Sequence, residues 1–230
     1  MKGRISTGML VAFVVVVMVG VSYAQSTGEK MPKMSTQGKM AGKMGNKMLL
    51  TKSAVDLRMA MRKLWEDHIT WTRNYIISSL SDLEDAQKCA ERLLKNQDDI
   101  GDAIKPIYGG EAGKKLALLL RDHILIAVEV VKAAKTANNE ELSRANKKWY
   151  ANADDIAAFL SGANSNWPKQ ALVDMLYKHL ELTTGEVVSR IKKDWAADID
   201  FYDRGHLHML MFADALTEGI VKQFPEKFKK

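Results

Sequence analysis

Apolar residues recur with the period of an α-helix through residues 53–230. Between Met61 and Tyr75, for example, large side chains fall at steps of three and four residues, and His68 lies on the same stripe. Such spacing places these side chains along one face of a helix, where they pack inward. The pattern predicts an all-α domain in which the stripe, including the histidine, faces the core.

Helix-breaking residues divide this region into three pieces of similar length. They cluster at Tyr108-Gly109-Gly110 and at residues 161–166, just ahead of Pro168. Repeated segments accompany the division, and their histidines are spaced by 55 and then 56 residues. The aligned segments are residues 64–69, 119–124 and 175–180, and, farther along each piece, residues 96–100, 152–156 and 208–212.

Each repeat is expected to fold as an antiparallel αα-hairpin. Three tandem hairpins give six helices that form one helical bundle, with repeats at about 53–109, 110–165 and 166–224. Capping residues mark two of the turns, near Ser81-Asp82 and Ala137-Asn138-Asn139. The predicted helices span about Val55 to Leu80, Leu83 to Ile104, Gly113 to Lys135, Glu140 to Leu160, Lys169 to Lys193 and Asp203 to Lys222.

Polar residues occupy matching heights in the two helices of each predicted hairpin. In an antiparallel hairpin, residues that are equidistant from the turn lie side by side. In each repeat, the midpoint between a histidine of the first helix and a polar residue of the second falls at or close to the turn. The sequence therefore predicts a polar row inside the hairpins. The predicted pairs are His68 with Asn96, His123 with Asn152, and His179 with His208.

This polar row has two interpretations. A buried imidazole needs a hydrogen-bond partner, which an amide across the hairpin supplies, so the row can be purely structural. Alternatively, His68, His123 and His179 converge as a three-histidine shell for a transition metal, Zn or Cu, if the hairpins surround a pseudo-threefold axis. In a linear solenoid the same histidines would lie in a line and could not share an ion. The pattern alone does not decide between these arrangements.

The third hairpin holds the densest group of potential metal ligands. It combines His179, His206 and His208 with Asp203, which lies three residues before His206 and shares its helix face. His206 and His208 point in different directions, because two residues rotate a helix by about 200°. A metal ion here would therefore use His179 and His208, together with an acid from elsewhere.

The first 52 residues differ from the repeats. Residues 1–24 have the pattern of a signal peptide, with early basic residues, an apolar run and small residues before an expected cleavage after Ala24. An uncleaved leader that anchors the protein is the alternative. Residues 25–52 contain Lys-Met five times amid Gly, Ser and Thr, which favours a disordered linker. Methionine thioethers suit Cu(I), but each follows a lysine whose charge repels a cation. The sequence predicts a periplasmic or secreted protein.

The charge distribution limits the possible partners. The formal net charge is +6, but Lys2, Arg4 and the lysine excess of residues 25–52 account for it, so residues 53–230 are close to neutral. Binding to a nucleic-acid backbone requires clustered Lys and Arg on the folded surface. We therefore expect no nucleic-acid partner, and we expect membrane contact only through the leader or the Lys-rich linker.

Several segments resemble a bacterial family of exported all-helical proteins. Members of that family often carry the names glycosyltransferase or acetylglutamate kinase. Those chemistries normally use α/β folds with nucleotide-binding loops, which this helical pattern lacks. The resemblance therefore implies a helical fold and export, and it brings no activity and no catalytic residues. It covers nearly all of residues 55–228 and rests on residues 64–76, 96–109, 119–126, 149–167 and 219–228.

Together these features favour an exported, non-catalytic binding module that holds a metal ion or small ligand, or docks a partner such as an envelope protein. One alternative is a metal-dependent enzyme that uses the histidines of the third hairpin. Another is a purely structural, envelope-associated protein. The enzyme is the runner-up and the structural protein the third possibility. The binding module is preferred to the enzyme because the sequence has no phosphate-binding Gly-rich loop, no Gly-x-Ser-x-Gly and no His-Glu-x-x-His.

Overall fold

The structure, a computed structural model, describes residues 51–229. These residues form six α-helices and a final 3-10 turn, with no β-strand among them, which confirms the all-α prediction. None of the described helices is long and apolar enough to cross a membrane. The elements are α1 (Lys52–Leu80), α2 (Ala86–Tyr108), α3 (Gly110–Lys135), α4 (Asn139–Ala163), α5 (Lys169–Ile191), α6 (Trp195–Gln223) and the 3-10 turn (Pro225–Phe228).

Capping side chains set the beginnings of α1, α4 and α6, and Asn138 is the cap of α4. Thr51 caps α1, which therefore begins at Lys52, inside the expected linker. Asp194 accepts a hydrogen bond from the backbone N–H of Ala197 at 3.1 Å, so α6 begins eight residues ahead of its predicted start. The predicted leader and the rest of the linker, residues 1–50, lie outside the described residues.

The three hairpin turns share one backbone conformation. Asp82, Ala137 and Lys193 have positive φ angles of 53°, 52° and 59°, and they are spaced by 55 and 56 residues. At each turn the N–H of the next residue donates to a carbonyl five residues before it, as Asn138 does to Ala133 at 3.0 Å. This hydrogen bond is typical of the Schellman motif that ends helices. The sequence repeat is therefore also a repeat of local structure.

The helices form a closed ring in which each packs against its neighbours in the chain, and the ring closes where α6 packs against α1. The first helix of each hairpin (α1, α3 and α5) also contacts the other two first helices. These three helices therefore surround the bundle axis. The hairpins are arranged about a pseudo-threefold axis, which is one of the two arrangements that the sequence left open.

Equivalent apolar positions of the three repeats form the core around this axis. Ile100, Ile156 and Phe212, which occupy one position of the repeat, are at most 1% exposed. Burying a side chain of this size contributes about 1.5–3 kcal/mol. The core therefore repeats with the sequence. Two further equivalent sets are also buried: Ile69, Ile124 and Leu180, and Ile104, Leu160 and Leu216.

Gly219 allows a close contact between α6 and the loop before α5. A Cβ added to this glycine would stand 1.9 Å from Nε1 of Trp167. We therefore expect Gly219→Ala to lower the free energy of unfolding by about 1–3 kcal/mol, because the indole or the helix must move.

Gly205 on the same helix provides a matched control. A Cβ at Gly205 meets nothing nearer than Cβ of Leu182 at 3.9 Å. Gly205→Ala should therefore be neutral, or stabilise by up to about 1 kcal/mol through helix propensity. Denaturant unfolding of both variants makes the comparison, and equal effects would contradict the packing argument.

Candidate functional site

Three histidines, one from each hairpin, meet at the bundle axis. His68 of α1, His123 of α3 and His179 of α5 are each 2–3% exposed. The ring centroids of His68 and His179 lie 5.4 Å apart, and those of His123 and His179 lie 6.0 Å apart with the rings stacked. Nε2 of His68 is 3.4 Å from Nε2 of His179. We refer to these three residues as the histidine centre.

The imidazoles of the histidine centre are neutral. Burial lowers the pKa of His68 to about 3, and the nearby His123 acts in the same direction. Burial likewise lowers the pKa of His123 to about 4 and the pKa of His179 well below its ordinary value. A neutral imidazole keeps one nitrogen lone pair available. The centre therefore presents acceptors and potential metal ligands without a net charge.

The second helix of each hairpin is held to the first by one polar side chain. In all three repeats this side chain donates to the backbone carbonyl four residues before the central histidine. That carbonyl also accepts the helical hydrogen bond of the histidine's own N–H. The contact fixes the height of each hairpin relative to the centre. The three bonds run from Asn96 Nδ2 to Leu64 (3.0 Å), from Asn152 Nδ2 to Leu119 (3.0 Å) and from His208 Nε2 to Met175 (2.7 Å).

Of the three predicted pairs, only His123 with Asn152 forms a direct hydrogen bond between the two side chains. His123 Nδ1 donates to Asn152 Oδ1 at 2.8 Å. His68 Nδ1 faces Nε2 of Gln97 at 3.3 Å, and Gln97 donates in turn to Asn96 at 3.1 Å. The connection in the first hairpin is therefore indirect, because the amide of Asn96 is already occupied by the backbone carbonyl and by Gln97. In the third hairpin, we expected His208 to face His179, but its imidazole donates to the backbone carbonyl of Met175 instead.

Several buried polar atoms around the histidine centre have no hydrogen-bond partner. Such an atom destabilises a folded protein by about 1–3 kcal/mol, and native structures contain few of them. Their concentration here sets this region apart from the rest of the core. They are Nδ1 of His179, Oε1 of Gln97 and the indole nitrogens of Trp65, which packs edge-on to His68 at 5.6 Å, and Trp149, which lies 5.4 Å from His123.

The other candidate ligands of the third hairpin are not gathered with His179. Asp203 is exposed, and His206 Nε2 lies 3.2 Å from Oε1 of Glu66 on α1. His206 thus faces α1, whereas His208 faces α5, so the predicted third-hairpin set is dispersed. Within residues 51–229, no group of three or more His, Cys, Asp or Glu side chains is arranged to hold a metal ion.

A second buried polar group joins α1, α5 and α6. We call it the ion cluster, and it consists of Arg73, Glu186, Arg190 and Asp198. Asp198 is 1% exposed, and its Oδ2 accepts from both Arg73 Nη2 and Arg190 Nη1 at 2.9 Å. Arg73 Nη1 also donates to Oε1 of Glu186 at 2.8 Å. Burial raises the pKa of Glu186 to about 7, although the guanidinium of Arg73 acts in the opposite direction.

Gln97, Arg73 and Asp198 were not among the site residues that the sequence predicted. Gln97 directly follows a predicted site residue, and the amide pair Asn96-Gln97 was the available signal. Arg73 and Asp198 lie 125 residues apart and meet only because the ring closes. No periodicity within one helix could have paired them.

Comparison with known proteins adds no relative. No family model, no curated protein and no solved structure matches this chain. What the histidine centre and the ion cluster do must therefore be inferred from their own geometry.

Proposed function

We propose that this protein is an exported, non-catalytic binding module and that the histidine centre holds its ligand. The observation that carries the proposal is the convergence of His68, His123 and His179 at the axis. The signal-peptide pattern of residues 1–24 supports export.

The polar surroundings of the centre support binding over a purely structural role. A structural histidine needs one good hydrogen bond, which His123 makes by donating to Asn152. Nδ1 of His179 and the indole of Trp65 have no such partner, although both are buried. A small ligand that contacts these groups would relieve an unfavourable burial in the free protein.

The low pKa values favour binding over acid–base catalysis. A general base works best when its pKa lies near the operating pH. The pKa of His68 is about 3 and that of His123 about 4, so both are weak bases at neutral pH. Their lone pairs remain suited to a metal ion, which binds neutral imidazole.

The spacing of the rings limits the ligand to about the size of a single ion. Ring centroids 5.4 and 6.0 Å apart leave little room between the imidazoles. The 3.4 Å between the Nε2 atoms of His68 and His179 is long for a hydrogen bond. It matches the roughly 3.4 Å that two nitrogens on one tetrahedral Zn²⁺ would show, given Zn–N bonds of about 2.0–2.1 Å. A transition metal, Zn or Cu, is therefore the ligand that we test first. No third side chain of the described residues is arranged to complete this pair, so a bound ion would draw its further ligands from outside the protein.

Elemental analysis of the protein, purified without chelator and without an affinity metal, tests this proposal. We expect one transition-metal ion per chain in the wild type and a loss of that ion in His68→Ala and in His179→Ala. His206→Ala is the matched control, since His206 lies on the surface against Glu66, and this variant should keep the metal.

An absence of metal from the wild type, with the two core variants merely less stable, would overturn the proposal. The histidines would then be hydrogen-bonding groups of the core, and the function would lie on the surface.

A further inference from the structure

The histidine centre is closed to solvent, so any ligand needs a route to it. The imidazoles are 2–3% exposed, and they lie behind a complete ring of helices. Two surface grooves of about 480 and 500 Å³ are lined by other residues, near the first two hairpin turns and along α4. Neither groove includes a residue of the centre. One junction between helices must therefore separate for a ligand to enter.

The junction between α1 and α6, which we call the seam, differs from the other five. Every other pair of neighbours in the ring is consecutive in the chain and is joined by a short connection. The seam joins the first helix of the described chain to the last, with no such connection. It can therefore open by a movement of the first hairpin relative to the third, without strain on any of the hairpin turns.

Ion pairs line the seam along its length. The side chains in these pairs are 29–50% exposed, so the pairs contribute less to stability than buried ones, salt screens them, and they can break and form again. This chemistry suits a contact that opens. The surface pairs are Arg58 with Asp214 (3.4 Å) and Glu218 (3.6 Å), Arg62 with Asp214 (3.6 Å), and Glu66 with His206 (3.2 Å).

The seam leads directly to the histidine centre. Behind the surface pairs, Trp65 of α1 meets Phe212 of α6 edge-on, with ring centroids 5.0 Å apart. Trp65 also packs against His68. The contact between His68 and His179 also joins the first hairpin to the third, because His68 belongs to the first and His179 to the third. Opening the seam would therefore expose the two nitrogens that face each other.

Arg73 forms the largely buried ion pairs of the seam. Its guanidinium binds Asp198 on α6 and Glu186 on α5, so it ties the first hairpin to both helices of the third. It also lies over the ring of Tyr202, 5.1 Å from the centroid. These contacts must break before α1 can leave α6 at this end of the seam.

We propose that the seam is the entry gate of the histidine centre and that Arg73 is its latch. The ligand role of the gate rests on the proposed function, whereas the opening itself is a property of the fold that can be measured without any ligand. Small ions enter while the first and third hairpins are apart, and the ion pairs then close over them.

A thiol placed at the centre reports the opening. Cys89 is the only cysteine of the chain, so His68→Cys in a Cys89→Ser background carries a single thiol, at the position of the histidine. Its rate of reaction with an aromatic disulfide reagent, measured under native conditions, gives the frequency of opening. We expect Arg73→Gln to raise this rate at least about tenfold and 1 M NaCl to raise it about fivefold.

Arg121→Gln is the matched control. Arg121 Nη1 pairs with Asp98 Oδ2 at 2.9 Å across the junction of α2 and α3, which is consecutive in the chain. Removing it should leave the labelling rate within about twofold of the reference. If Arg73→Gln does not fold, the surface double variant Arg58→Gln/Arg62→Gln supplies the test, with an expected rise of about fivefold.

Denaturant unfolding of the same proteins separates a gate from global unfolding. A gate requires a labelling rate above the value that the global unfolding constant gives, with little dependence on denaturant. Labelling that follows global unfolding in every variant, or that rises equally in Arg121→Gln, would overturn the gate. Because no ligand is used, that result would leave the elemental analysis unaffected, and a metal-free wild type would leave the gate standing.

Discussion

Asp198→Asn is expected to lower the free energy of unfolding by about 3–5 kcal/mol, because it removes the shared partner of two guanidinium groups in the ion cluster. Asp198 is 1% exposed and accepts hydrogen bonds from Arg73 and Arg190. Removing one partner of a buried ion pair leaves the other charge uncompensated, which destabilises far more than the loss of an exposed pair.

Glu186 limits the loss at one of the two arginines. The charge of Asp198 is one of the causes that raise the pKa of Glu186. Its removal lets the pKa of Glu186 fall, so this carboxylate becomes the remaining partner of Arg73. Arg190 is near enough to Glu186 for their charges to interact but donates no hydrogen bond to it, and its Nε is already buried without a partner. The destabilisation should therefore arise mainly at Arg190.

Asp200→Asn is the matched control for this substitution. Asp200 lies two residues farther along α6, its side chain is 62% exposed, and it pairs with Arg204 at 3.0 Å. We expect a change below about 1 kcal/mol, as for other exposed pairs. Denaturant unfolding at pH 7 compares the two variants. If Asp198→Asn were as mild as Asp200→Asn, solvent would have to compensate the arginines, and the cluster would not hold the third hairpin to α1.

The sequence predicted those parts of the fold that repeat. Spacings of 55 and 56 residues gave three hairpins, and the same spacings recur in the positive φ angles of Asp82, Ala137 and Lys193. Helical periodicity gave the inward stripe, because a side chain's face follows from its position along a regular helix. Repeat spacing and helical periodicity are local regularities, so they can be recognised in a single sequence.

Relations between hairpins could not be predicted in the same way. Closure about an axis depends on how three similar units pack, and both closed and linear stacks bury the same stripe. Arg73 and Asp198 share no period, so only the closed ring brings them together. The separation of His206 from His208, in contrast, could be predicted from one helix alone. Two residues rotate a helix by about 200°, which places the two side chains on different faces.

The second large effect is expected on acidification. The metal-free protein, kept in chelator, should lose most of its stability between about pH 6.5 and 4.5. An unfolded histidine takes up a proton near pH 6.5. In the folded state the pKa is about 3 for His68 and about 4 for His123, and it is also lowered for His179. Within this window the unfolded chain binds more protons than the folded chain, so stability falls as the pH falls.

The magnitude of the acid effect is comparable with the stability of a whole domain. Each buried histidine contributes a slope of about 1.4 kcal/mol per pH unit once the unfolded chain is protonated. By pH 4.5 this amounts to about 2–3 kcal/mol each for His68 and His123, or about 4–6 kcal/mol together, and His179 acts in the same direction. Single domains are stable by about 5–15 kcal/mol. We therefore expect the bundle to unfold near the lower end of the window.

Glu186 acts in the opposite direction over the same range. Its folded pKa is raised to about 7, so between about pH 4.5 and 7 the folded chain keeps a proton that the unfolded chain has lost. Acidification through this range therefore stabilises the fold at Glu186, by about 1.4 kcal/mol per pH unit at most. One opposing carboxyl cannot offset three histidines, but it should flatten the stability profile near pH 7.

Two substitutions separate the contributions of the histidines and of Glu186 by their effect on the slope of the unfolding free energy against pH. Unfolding free energies measured by denaturant at several pH values should show a shallower acid loss in His123→Gln and a steeper loss in Glu186→Gln. The slope should change by about 1.4 kcal/mol per pH unit in each variant. A slope is unaffected by any uniform loss of stability that the substitutions cause, so the comparison holds even if both variants are weaker than the wild type. An unchanged acid slope in His123→Gln would mean that this imidazole titrates as freely in the folded protein as in water, which its burial against Trp149 and Asn152 does not allow.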